Sequence, residues 1–165
     1  MNSFRTFLTR SALVAAAVLA LLPGCTKRSA PVGMETTAMH QDQPPHGGTP
    51  VTLGDDEFHL ELVRDPETGT LSGYVLDDEM EEFVRISAPS LVLDVQRGGQ
   101  PQRLVLSPVA DLATGETVGN TSLYQGQADW LKTEGHFDAT LEPVSIHGST
   151  FGPTPFHFPS GNDRK

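Results

Sequence analysis

Between His46 and Asp77 the chain reads HGGTPVTLGDDEFHLELVRDPETGTLSGYVLD, and this stretch constrains the fold more than any other. From Glu57 to Arg64, Phe58, Leu60 and Leu62 alternate with His59, Glu61 and Val63. A period of two is the signature of a strand with two different faces, not of a helix. Asp65-Pro66-Glu67-Thr68-Gly69 then turns the chain, because proline presets φ and glycine accepts a positive φ. The return segment, Thr70 to Asp77, sets Leu71, Gly73 and Val75 against Ser72, Tyr74 and Leu76. Gly73 in mid-strand predicts a bulge or a close backbone approach. A shorter segment, Pro50 to Leu53, enters through the turn Gly54-Asp55-Asp56, and His59 is expected to face solvent or a neighbouring sheet edge. A lone hairpin is marginal in water, so further strands must complete it.

The remaining chain supplies them. Strands are expected at 83–86, 90–95, 102–106, 118–127, 137–146 and 150–158. Ala88-Pro89, Gly98-Gly99 and His147-Gly148-Ser149 separate some of these, and Asp111 to Gly115 (DLATG) repeats the D-x-x-T-G turn of Asp65 to Gly69. Pro153 and Pro155 assign the last strand to a sheet edge. Only Ala128 to Gly135 has helical character, with Asp129 as its cap and Trp130 and Leu131 aimed at the core. The prediction is an all-β fold: a single antiparallel β-sandwich or barrel-like domain of about eight short strands over residues 46–160, with one short helical turn and a polar tail at 161–165. A single cysteine allows no internal disulfide, so apolar packing must hold this domain.

Residues 1–24 are of a different kind. They carry Arg5 and Arg10, no acidic residue, and an apolar run from Ser11 to Leu22. That run is too short to span a bilayer, which takes about 20 residues, and it fits a secretory signal helix. It ends in Leu21-Leu22-Pro23-Gly24-Cys25, which resembles the signal of bacterial lipoproteins, with Pro23 departing from the usual small residue. The resemblance implies cleavage before Cys25, lipidation of its thiol, and palmitate-type acyl chains that hold the protein on a membrane. Each buried methylene contributes about 0.8 kcal/mol to such an anchor. Thr26, in place of aspartate, implies transfer to the periplasmic face of the outer membrane. Residues 25–45 are then anchor and disordered linker, being poor in apolar residues and broken by Pro31, Pro44 and Pro45.

Eleven basic residues face 21 acidic ones, a formal charge of −10. The leader holds two of the bases, so the rest is more acidic still. Such a chain is unsuited to a nucleic-acid backbone. The expected partners are the membrane, through Cys25, and another envelope protein. No nucleophile elbow, zinc-protease motif, phosphate loop or dinucleotide fingerprint is present, so a non-enzymatic protein is expected. Met39, His40, His46 and His59 are candidate ligands for a copper or zinc ion, since soft copper favours thioether and imidazole. No other cofactor is expected. Asp77 to Glu82 (DDEMEE) concentrates carboxylates without EF-hand spacing and is expected to be a solvated turn with Met80 exposed at its tip. His136, His147 and His157 are expected at strand ends.

The segments HGG, HLELV, TG and YVLD, followed by YQG, WL and HFDATL, are similar to a group of small Gram-negative lipoproteins. They are also similar to the N-terminal β-domain of some heavy-metal efflux adaptor subunits. The resemblance covers most of residues 46–158. It implies a lipid-anchored envelope β-domain acting as a binding module, with copper-type metal handling as one role. The alternative is a structural or protein-interaction lipoprotein with no small ligand.

Overall fold

The computed structural model of the protein describes residues 43–162. The expected signal and lipid anchor at Cys25, and Met39 and His40, lie outside the described residues. Ten strands follow in chain order: Thr49–Leu53 (β1), Phe58–Asp65 (β2), Thr70–Leu76 (β3), Leu91–Arg97 (β4), Gln100–Pro108 (β5), Leu123–Gln127 (β6), Phe137–Leu141 (β7), Val144–Ile146 (β8), Ser149–Phe151 (β9) and Thr154–Phe158 (β10). The expected all-β, barrel-like antiparallel fold is present. Eight strands form one sheet in the order β1-β2-β3-β6-β5-β4-β7-β10, while β8 and β9 make a separate hairpin. The end strands β1 and β10 come together, so the sheet nearly closes into a barrel.

The inner face follows the alternation. Leu60 and Leu62 of β2, Leu71 and Val75 of β3, Leu104 and Leu106 of β5, and Leu91, Leu93 and Val95 of β4 join one apolar core. Each fully buried leucine contributes about 1.5–3 kcal/mol. Gly73 fulfils its expectation: a Cβ there would lie 3.2 Å from Leu60 Cδ1 and 3.3 Å from Leu106 Cδ1. Across the remaining gap, Asn162 acts as a piece of strand. Its amide accepts from Thr52 N–H at 2.8 Å and donates to Thr52 C=O at 2.9 Å.

Several boundaries differ from expectation, each for a physical reason. The segment 137–146 is two strands, because Pro143 lacks the N–H needed to continue the ladder and β8 leaves the large sheet. The segment 150–158 breaks at Gly152-Pro153, and its second half, β10, is the edge strand that Pro155 requires. Phe83 and Ile86 make only isolated bridges, to Leu76 and Thr121. The helical turn is a 3-10 turn at Asp129–Lys132 with Ala128 at its N-cap. Asp129 does not cap it and instead pairs with Lys132 at 2.9 Å. Trp130 and Leu131 are buried as expected, and the Arg97 guanidinium lies 4.9 Å from the Trp130 ring centroid.

Candidate functional site

Strand β2 is buried on both faces, which alternation alone does not announce. His59 is 4 % exposed and Glu61 is 0 % exposed, although both point away from the apolar core. The outer face is roofed by the arm His46–Gly48, which precedes β1, and by the loop that follows β3. His59 therefore does not face solvent. Its Nδ1 lies 3.1 Å from the Asp77 carbonyl oxygen, and its Nε2 lies 3.1 Å from Asp56 Oδ1. Met80 is likewise buried, not exposed, because the 77–82 loop folds back on itself. Asp77 Oδ1 accepts from the Glu81 and Glu82 amides at 2.9 and 3.1 Å, and Met80 takes a φ of 55°. The other side chains of the run, Asp78, Glu79, Glu81 and Glu82, are exposed, as a solvated acidic turn should be.

Glu61 organises the arm. One oxygen accepts from the His46 and Gly48 backbone amides, each at 2.8 Å, and the other lies 2.8 Å from His46 Nδ1. An ionised carboxylate only accepts, so toward an ionised Glu61 the His46 Nδ1 would be the donor, and the Nε2 edge faces away from Glu61. Gly48 is required at this position. A Cβ there would sit 2.7 Å from the Leu62 carbonyl oxygen and 2.8 Å from Glu61 Cγ. The His46 ring stacks on Tyr74, the cross-strand neighbour of Glu61, with centroids 4.0 Å apart and an interplanar angle of 18°. Phe83 completes a group of three rings, 5.8 Å from His46 and 6.0 Å from Tyr74. Burial, followed by the nearby negative charge of Glu61, raises the Tyr74 pKa above its ordinary value.

These rings form one wall of a cleft of about 440 Å³. The rest of the lining comes from Arg85 and from the loop joining β5 to β6, with Asp111, Thr114 and Glu116. Glu116 is 6 % exposed and accepts from the amide and hydroxyl of Ser122 at 3.1 and 2.8 Å. Arg85 Nε lies 3.4 Å from the same carboxylate oxygen, and Arg85 also donates to the Thr114 carbonyl at 2.6 Å. The second D-x-x-T-G segment thus builds this part of the lining, with Asp111 Oδ1 accepting from the Ala113 amide at 2.8 Å. A depression of similar size, about 460 Å³, lies at the β4–β5 hairpin tip, but its lining from Gln100 to Gln102 is exposed and lacks a buried polar group.

Of the residues singled out from sequence, His46 lines the cleft and His59 sits nearby with both ring nitrogens facing oxygens. Met39, His40 and Cys25 are outside the described residues. His147 packs edge-on to Phe58, and His157 Nδ1 is 2.5 Å from Asp138. Among the described residues no three His, Cys, Asp or Glu side chains are grouped to hold a metal ion. Sequence reasoning missed Tyr74, Phe83, Arg85 and Glu116 as a group. It had one signal for Glu61: an acid set among Leu60, Leu62 and Val63. No family model, no curated protein and no solved structure matches the chain.

Proposed function

We propose that this protein is a lipid-anchored module of the bacterial cell envelope that binds, without catalysis, a partner received in the cleft beside His46. The carrying observation is Glu61. A carboxylate withdrawn wholly from water costs several kcal/mol unless hydrogen bonds replace its hydration. Among the described residues its hydrogen bonds come from His46 and Gly48, so the buried carboxylate serves to fix the arm and its ring at the cleft mouth. An apolar residue at position 61 would seal the sheet as well but could not position His46. The address rests on the run from Leu21 to Cys25, and the acidic charge of −10 suits a body that must not adsorb to anionic lipid.

Photo-crosslinking in membranes tests the reading. A photoreactive side chain replacing Phe83 should yield a discrete adduct that competes away when unlabelled protein is added in excess. The same group replacing Val105, which is 46 % exposed on β5, should not. Equal labelling from both positions, or none from position 83, overturns it.

One observation favours a second reading, copper-type metal handling. A carboxylate on one imidazole nitrogen is the usual means of orienting the other toward a metal. His46 has that partner in Glu61, and Met39 and His40 precede it in sequence. Calorimetric titration of the full chain with Cu(I) and Zn(II) should then show binding that His46→Ala weakens by about 10-fold or more and that His59→Ala leaves unchanged. Affinity no better than millimolar removes the metal reading.

A further inference from the structure

We infer that the cleft is a site for an organic cation, an alkylammonium or guanidinium group, a proposal that rests on the cleft being the binding site. The charged side chains that line it are Asp111 and Glu116 against the single guanidinium of Arg85, with the Glu61 carboxylate buried behind His46. That guanidinium is already committed to the Glu116 carboxylate and the Thr114 carbonyl. Glu116 is itself more than nine-tenths buried, so its charge is held in a fixed place at the cleft wall. The acidic turn at 77–82 leads directly into Phe83 and adds to the negative field at that rim.

The same lining carries an aromatic group. Three rings lie within 6.0 Å of one another, and Phe83, at 48 % exposure, keeps ring surface open to the cleft. A cation within about 6 Å of an aromatic ring centroid is attracted by the ring quadrupole, and the carboxylates in the same cleft add a second attraction. A neutral apolar ligand would use the rings and gain nothing from the acidic side chains. An anion would meet the Asp111 and Glu116 carboxylates. The cation uses both rings and acids. A cleft of about 440 Å³ accommodates such a group on a basic side chain of a partner or as a small free amine.

Amide spectra of the full isotope-labelled chain test this, with tetramethylammonium chloride and acetyl-arginine amide as cationic probes and neopentyl alcohol as the uncharged one. Saturable shifts are expected at Tyr74, Phe83, Asp111 and Ser122 with one or both cations and not with the alcohol. Tighter binding of acetyl-arginine amide identifies a basic side chain as the natural occupant; tighter binding of tetramethylammonium identifies a free quaternary amine. Phe83→Ala should weaken either by about two- to fivefold. Asp111→Asn, which preserves the turn, should weaken it by a similar factor. Equal binding of the alcohol overturns the cation assignment while leaving the cleft as the binding site. Shifts confined to residues 77–82, or no saturable shifts, overturn it as well. The crosslinking outcome at position 83 does not depend on any of these probes, so the two readings fail separately.

Discussion

At the scale of single residues, the site depends on one buried charge and one missing side chain. Glu61→Ala removes the acceptor of the His46 and Gly48 backbone amides, and losing hydrogen bonds to a charged group costs about 1.5–3 kcal/mol each. Urea unfolding should register that loss, with the His46 arm released. Unchanged stability would mean the carboxylate is not ionised and hydrogen-bonded as described. Gly48→Ala should dislodge the same arm by a different route, since its Cβ meets the Leu62 carbonyl oxygen at 2.7 Å. The expected readout is loss of the ring-current shifts that His46 and Tyr74 impose on each other. The tyrosines add a pH test. Burial pushes Tyr124 up to about 12, and Tyr74 is raised by burial and then by Glu61. The folded state thus favours the neutral phenols. Their contribution is fully present below the ordinary value of 10.0 and is lost as pH rises through about 12 for Tyr124. Phenolate absorbance should therefore rise near pH 10 in denaturant but later in the native protein. A native titration superimposed on the denatured one would contradict the burial of both rings.

At the scale of elements, the barrel is closed in part by a side chain. Asn162→Ala removes both bonds to the Thr52 backbone, a loss of about 1 kcal/mol or somewhat more. Hydrogen exchange at the Thr52 amide should accelerate while exchange in β3 and β6 stays slow. Equal acceleration across the sheet would mean that closure is not local. The strands themselves were legible because alternation and turn chemistry are local properties. Leu60 and Leu62 could be assigned to one face, and Asp65 to Gly69 to a turn, from neighbours alone. The burial of His59 and Glu61 was not legible, since it depends on an arm and a loop that cross the outer face of the barrel. The same limit hid the cleft. Phe83, Arg85 and Glu116 lie in segments without periodicity, and only the three-dimensional path of the β5–β6 loop brings them together. Met80 was misplaced for a related reason: the Asp77 carboxylate, which bonds the Glu81 and Glu82 amides, curls the acidic turn inward.

At the scale of the whole molecule, the proposed lipid tether at Cys25 would carry an acidic, nearly closed β-barrel. Removal of the acyl acceptor tests the tether: Cys25→Ser should move the protein from the membrane fraction to the soluble fraction, and persistence in the membrane would contradict the anchor. The body is a rigid scaffold that presents an arm and two loops around one cleft, and its chemistry is set where Glu61 meets His46. Long-range nitrogen–proton correlation on the histidine rings of the full chain measures that meeting directly. A proton on His46 Nδ1, shifted downfield by the Glu61 carboxylate and lost in Glu61→Ala, is the result expected. An Nδ1 without a proton, or a His46 signal identical to that of the exposed His136, would contradict the site.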